Sequence, residues 1–301
     1  MILNLCYLIA NQVHRKRLKN AVPKPLQRRS MHDTYWQWQC ETSPMYFDKF
    51  FDLSAKLRDA RVVDIGCGLG GRTCSLASHG VRQVVGVDIN RAEVVQAQEL
   101  LLRLGNNEMR DKIRFQTVSE FKTSSNEESF DIALLVDSLE HVTNPIEILN
   151  QAHSMLRPGG ACYFSTWGWY HHQASHVGSI VPIPFATVFF SDKQILDAVR
   201  RIVAQPYYVA SMWDSNPPAL RWQGCNSLHD RPGEYLNKFT IRKFRKAMAA
   251  SEFSKWELKT EGFSATSHRV LACFNFLTRI PLVQEVYHSV VLGRLIKADK
   301  T

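Results

Sequence analysis

Between residues 61 and 167 short apolar runs and amphipathic stretches take turns along the chain. Arg61–Gly66 (RVVDIG) is a β-branched run ending in glycine, which predicts a strand buried on both faces. Gly70–His79 predicts a helix and Gln83–Ile89 (QVVGVDI) a second strand. Arg91–Leu104 sets Val94, Ala97, Leu101 and Leu104 at helical spacing, and Gly105 stops it. Ile113–Val118 and Phe130–Asp137 predict the third and fourth strands. A helix over Pro145–Leu156 has Asn144 as its cap and Pro145 at its first position. Arg157-Pro-Gly-Gly160 then turns the chain into a fifth strand, Ala161–Trp167. Strands joined by helical crossovers imply a parallel sheet covered on both faces.

After Trp167 the rhythm lapses. Residues 168–238 are crowded with Trp, Tyr, His and Pro, with one helix over Ser191–Val203. Order resumes with a helix near Thr240–Ala250, a strand near Lys255–Glu261 and a last strand near Val286–Ile296. An insertion after strand five lies at the carboxyl edge of such a sheet, where ligands bind, so it reads as a lid. No internal repeat or low-complexity tract interrupts the pattern.

Composition places the chain among globular proteins: 301 residues, 45% apolar and 22% charged. Seven scattered cysteines without CxxC spacing read as reduced thiols in a reducing, cytoplasmic setting. The net charge of +9 is concentrated early, in His14, Arg15, Lys16, Arg17, Lys19, Lys24, Arg28 and Arg29. The apolar start MILNLCYLIA precedes that basic cluster, the reverse of a secretion signal, so none is expected. No apolar run is long enough to predict a membrane span. Residues 1–29 leave two readings open: peripheral membrane contact, or a helix whose Ile2, Leu5, Ile9 and Val13 stripe packs on its own domain, the latter expected.

Asp64-Ile-Gly-Cys-Gly-Leu-Gly-Gly71 lies between a strand and a helix, where glycines admit a ligand to the backbone and the helix offers free N–H groups. Gly66, Gly68 and Gly71 fit the dinucleotide fingerprint, while Gly66, Gly68 and Gly70 fit GxGxG. Asp88, ending the second strand, suits a ribose diol in either case. Asp64 would repel a pyrophosphate and suits a cationic amino-acid or sulfonium ligand. Together with FDIALLVDSLEHV and LRPGGACYFST, the loop VVDIGCGLGG resembles the class I S-adenosylmethionine-dependent methyltransferases over roughly residues 55–167.

That resemblance implies an α/β fold with a Rossmann-like seven-stranded sheet in the order 3-2-1-4-5-7-6, the last strand antiparallel. It divides the chain into an N-terminal helical cap (1–54), a cofactor-binding core (55–167), a lid (168–238) and the C-terminal part of the sheet (239–301). It implies that Asp64, Gly66, Gly68 and Gly70 hold the methionine moiety and Asp88 the ribose, with Cys67, Ile89 and Asp137 also at the cofactor. Ser119 stands where many relatives carry an adenine-binding Asp, and Ser119 or Glu120 would take that role.

Asp137-Ser-Leu-Glu-His141 resembles the segment that supplies divalent-metal ligands in ubiquinone-biosynthesis O-methyltransferases and small-RNA 2′-O-methyltransferases. The resemblance implies Asp137, Glu140 and His141 as ligands of Mg²⁺, Mn²⁺, Fe²⁺ or Zn²⁺, completed by His171, His172 or His176. Three roles stay open for Glu140 and His141: metal binding, general-base catalysis by His141, and shaping the cofactor pocket. Trp167, Trp169 and Tyr170 are expected to wall the acceptor. Tyr35, Trp36 and Trp38 either close over the cofactor or pack a leading helix, and Arg221, Arg231 and Lys238 either hold an anionic acceptor or form exposed ion pairs.

The leading expectation is methyl transfer to a small hydroxylated, aromatic or lipophilic acceptor. An RNA or protein methyltransferase is the alternative that the basic surplus favours, but the lid lacks a dense basic stripe, so nucleic acid is not expected. N- or C-methylation of a specialised metabolite is a further alternative. Asp64 argues against a nicotinamide oxidoreductase, and a non-catalytic protein retaining the fold is the last reading.

Overall fold

The computed structural model describes residues 4–19, 31–124, 130–171, 174, 176–208, 225–231, 234–264 and 269–299. Helices α1 (Leu5–Lys19), α2 (Met31–Phe51) and α3 (Ser54–Leu57) precede β1 (Arg61–Ile65). There follow α4 (Gly71–Ser75), β2 (Gln83–Asp88), α5 (Arg91–Leu104), α6 (Asn107–Lys112), β3 (Ile113–Thr117), α7 (Val118–Ser124), β4 (Phe130–Val136), α8 (Pro145–Met155) and β5 (Leu156–Thr166). The last third holds α9 (Ala186–Phe189), α10 (Asp192–Val203), the short pair β6 (Asp230–Arg231) and β7 (Glu234–Tyr235), α11 (Ile241–Ala250), β8 (Lys255–Glu261), α12 (Arg269–Ala272) and β9 (Val290–Ile296).

Seven of these strands form one sheet in the order β3-β2-β1-β4-β5-β9-β8, with β9 running against both neighbours. Counted within the sheet this is 3-2-1-4-5-7-6, the expected topology. Val62, Val84, Ile132 and Leu134 enter one buried cluster, and Val63, Val85, Ala133 and Leu135 the other. Helices cover both faces of the central strands, which is why their sequences read as continuous apolar runs. Helix starts obey their signals: Asn90 accepts the Ala92 N–H, Asn144 the Glu147 N–H and Thr240 the Lys243 N–H, and Ser191 with Gln194 closes a capping box.

Three expectations need correction. β5 starts at Leu156, ahead of the glycines that were to turn into it: Leu156 pairs with Phe130 and Ala161 with Ile132, so residues 157–160 bulge out between two ladder positions. Gly159 takes φ 73° there, a conformation that strains any side chain. The last strand likewise begins at Val290 rather than Val286. Helix α1 packs on α10, but not through the predicted stripe. Cys6 and Ala10 are fully buried, while Leu5 and Ile9 face solvent, Val13 is half-buried and Ile2 lies outside the described residues. The small Cys6 and Ala10 let the helices approach closely, and Asn4 fixes the register by donating to the Gln194 carbonyl and Asp197. Thus α1 joins a third cluster with Val177, Ile195, Val199, Ile202 and Leu228, the core of the segment that follows β5. Lys24, Arg28, Arg29 and Arg221 fall outside the described residues. Among the described residues no helix is long and apolar enough to cross a membrane.

The bulge is tied down by Asp131, whose carboxylate accepts the Arg61 N–H (2.7 Å) and the Arg157 guanidinium. Burial works against its charge, yet these partners hold its pKa below the ordinary 3.8. Its stabilisation is therefore present above that value and is lost as pH falls through the lower folded value. Asp131→Asn is expected to cost about 1–2 kcal/mol at neutral pH. The difference from wild type should shrink in acid, as urea unfolding at about pH 7 and about pH 3 would reveal.

Candidate active site

The chain leaves β1 through the glycine loop and enters α4 with backbone conformations that demand glycine. Gly66 (φ 79°) lies so close to Ser138 that an added Cβ would stand 2.6 Å from the Ser138 Cβ. Gly70 (φ 76°) would meet the Phe115 ring at 2.3 Å. Helix α2 lies on the other side of the loop, with the Trp36 carbonyl and Gln39 against Gly71. The aromatic start of α2 thus divides: Trp36 is buried against the loop, while Tyr35 and Trp38 stack at 5.9 Å.

At the end of β2, Asp88 accepts the Gly68 N–H on one oxygen and the Asn90 N–H on the other, both at 2.9 Å. The next residue, Ile89, is 88% exposed, an apolar face beside that carboxylate. Ser119 and Glu120 sit beyond the end of β3. The Glu120 carboxylate accepts the Thr117 N–H at 2.8 Å, and that bond holds its pKa low. Ser119 shares a hydrogen bond with Thr117 at 3.0 Å. Cys67 is a buried thiol whose pKa desolvation raises.

Asp64 is buried and accepts the Thr73 hydroxyl at 2.6 Å. Desolvation raises its pKa, against the pull of Thr73 and of Arg72. Arg72 escaped the sequence reading, although it occupies the first turn of the helix after the glycines. It donates to the Val136 carbonyl and to Asp137, each at 2.9 Å, and its guanidinium lies 5.6 Å from the Tyr46 ring. Asp137 adopts φ 53° and also accepts the Ser165 hydroxyl at 3.1 Å. A non-glycine residue is held in that conformation only where its surroundings over-determine it.

Glu140, His141 and His176 come together, with one ligand atom of each within 4.8 Å of the others. Asp137 stands outside this group, engaged by Arg72 and Ser165. The Thr166 hydroxyl donates to Glu140 Oε2 at 2.9 Å, whereas buried Oε1 has no hydrogen-bond partner among the described residues. Burial, reinforced by Asp137, pushes the Glu140 pKa upward. His141 Nδ1 meets the Tyr235 carbonyl at 2.9 Å; as the donor there, it leaves Nε2 as the basic nitrogen of the neutral ring. Buried Asn237, a second residue the sequence did not flag, clamps this turn by donating to the Leu139, Glu140 and Val142 carbonyls.

The aromatic lid residues separate. Trp167 stacks on His171 (5.5 Å, 6°) and meets His176 edge-on at 5.5 Å. His171 is buried between Trp167 and His288 and is not one of the clustered ligands. Trp169 belongs to the lid core beneath the Lys238 ammonium, and Tyr170 is exposed. The structure therefore brings only Trp167 of the three to the Glu140 group. His172 lies outside the described residues.

A family model described as a methyltransferase domain matches residues 43–258. The ubiquinone biosynthesis O-methyltransferase of Aliivibrio fischeri (strain MJ11) is 29% identical over 143 residues, 45% of this chain and 58% of that one. Its counterpart in Paraburkholderia phymatum is 30% identical over 155 residues, 50% and 65% of the two chains. The chain thus spans less than two thirds of the length of these relatives. A solved S-adenosylmethionine-dependent methyltransferase from Mesorhizobium loti matches 82% of this chain and 96% of its own at 17% identity, with a TM-score of 0.48.

The raised pKa of Glu140 has a sign that can be measured. The proton it keeps in the fold adds stability below its ordinary 4.5, and that stability is lost as pH rises through about 8. Thermal unfolding of the metal-free protein should show wild-type stability declining across this window relative to Glu140→Gln. Parallel curves for the two would contradict the assignment.

Proposed function

The chain belongs to the methyltransferase domain family, and on that premise we propose that it methylates a hydroxyl group of a small aromatic or lipophilic acceptor, with S-adenosylmethionine as donor. The observation that carries this reading is the Glu140–His141–His176 group, two residues following β4 and one following β5, at the carboxyl edge that also carries the glycine loop.

The residues present suit the donor. Asp88 offers carboxylate oxygens to a ribose diol, and exposed Ile89 offers an apolar face to a purine. Trp36 Nε1, Gln39 Oε1 and Arg72 Nε are buried without hydrogen-bond partners among the described residues, near the loop that α2 covers. A polar ligand with its own donors and acceptors would satisfy them. When bound, S-adenosylmethionine supplies an electrophilic methyl carbon whose bond to sulfur breaks as the acceptor oxygen forms its bond, the electron pair remaining on sulfur.

A hydroxyl is a poor nucleophile until its proton is removed. His141, oriented by the Tyr235 carbonyl, takes that proton on Nε2. Trp167 and buried His171 supply a flat wall that excludes water and suits a planar acceptor. The ligand group favours a second reading of the same residues: Glu140, His141 and His176 would hold a divalent ion, whose chemistry is to lower the pKa of the acceptor hydroxyl. Two imidazoles and one carboxylate suit Zn²⁺, Fe²⁺ or Mn²⁺ better than Mg²⁺.

His141→Ala should lower turnover on a hydroxylated aromatic acceptor by at least about 100-fold, with donor affinity changed no more than a few-fold. Wild-type turnover in this variant would remove the proposed role. Elemental analysis and equilibrium binding decide the metal: stoichiometric uptake lost in both Glu140→Gln and His176→Ala supports it, and turnover unchanged after exhaustive chelation removes it.

A further inference from the structure

The connection from β8 to β9 leaves the sheet at Glu261 and returns at Val290, beside Thr166, at the carboxyl edge. Its middle projects large apolar side chains into solvent: Val270 (75% exposed), Phe274, Phe276 (60%), Ile280 and Leu282 (86%). Large exposed apolar side chains this dense along a segment are uncommon on a soluble surface and mark an interaction site.

The arm is held from within. Asn275 accepts the Phe263 N–H at 2.8 Å and donates to the Phe263 carbonyl at 2.9 Å. The Tyr287 hydroxyl donates to the Leu271 carbonyl, and the Phe263 and Tyr287 rings meet at 5.1 Å. Gly262 fits so closely that an added Cβ would lie 2.4 Å from Asn275. The apolar side chains therefore stand on a braced backbone and, among the described residues, remain exposed.

Charge chooses among partners. No acidic residue occurs between Glu261 and Glu285, while Arg269 and Arg279 are both exposed. Glu285 itself is turned inward, accepting the Ile241 and Arg242 N–H groups at the start of α11. Apolar wedges flanked by arginines on a chain of net charge +9 suit an interface of acyl chains and anionic headgroups. The base of the arm reaches the candidate site, since the Gly168 N–H donates to His288.

We propose that residues 269–282 form a docking wedge that seats the protein on an anionic lipid bilayer. In that orientation the carboxyl edge of the sheet faces the membrane, and a lipophilic molecule can pass between bilayer and lid without crossing water. The docking does not depend on the methyl-transfer reading, because it is measured without cofactor or turnover.

Vesicle co-sedimentation of the whole chain tests it, using phosphatidylcholine alone and with about one third phosphatidylglycerol. Wild type should bind the anionic vesicles in a salt-sensitive manner. Phe276→Asp with Leu282→Asp should weaken that binding at least about tenfold, while Leu8→Asp with Ile9→Asp on α1 leaves it intact. Circular dichroism of both variants matching wild type shows that they fold. No binding by wild type, or equal binding by the wedge variant, overturns the proposal. So does loss of binding in the α1 variant alone, or a wild-type dimer in light scattering that the wedge variant dissolves without changing lipid binding.

Discussion

The site depends on one guanidinium among carboxylates. Arg72 reaches Asp137 and the Val136 carbonyl, lies within electrostatic range of Asp64, and is one of the charges acting on Glu140. One cation cannot neutralise Asp64, Asp137 and Glu140 together, and in a dry crevice each uncompensated charge is costly. The protein relieves part of that excess by keeping a proton on Glu140. The remainder favours positive charge, which the sulfonium of S-adenosylmethionine carries and a divalent ion on Glu140 would add.

Around that core the segment between β5 and α11 acts as a clamp. Asn237 grips residues 139–142 through three carbonyls and Tyr235 orients the His141 ring, so this imidazole is set by a segment far away in sequence. That segment in turn gains its own apolar core by recruiting α1.

The strands, the cap at Asn144 and the glycine loop were legible because each rests on local chemistry: apolar runs, a side-chain acceptor and left-handed backbone. The rest depends on contacts between distant segments. The face α1 buries follows from the fit of Cys6 and Ala10 against α10, which no hydrophobic count reveals. Asp137 looks like a ligand beside Glu140 until Arg72 claims it. Trp169 and Trp167 are two residues apart, yet one enters the lid core and the other stacks on His171. Arg72 carried a signal, a cation in the first turn after the glycines, whereas Asn237 carried none.

The central claim is that this crevice receives a cationic sulfur donor. Isothermal titration of the purified chain with S-adenosylmethionine, its demethylated product and NAD addresses it directly. Saturable micromolar binding of the first two, with none of NAD, is the predicted result. Uptake of NAD by a protein indifferent to both sulfur compounds would contradict it.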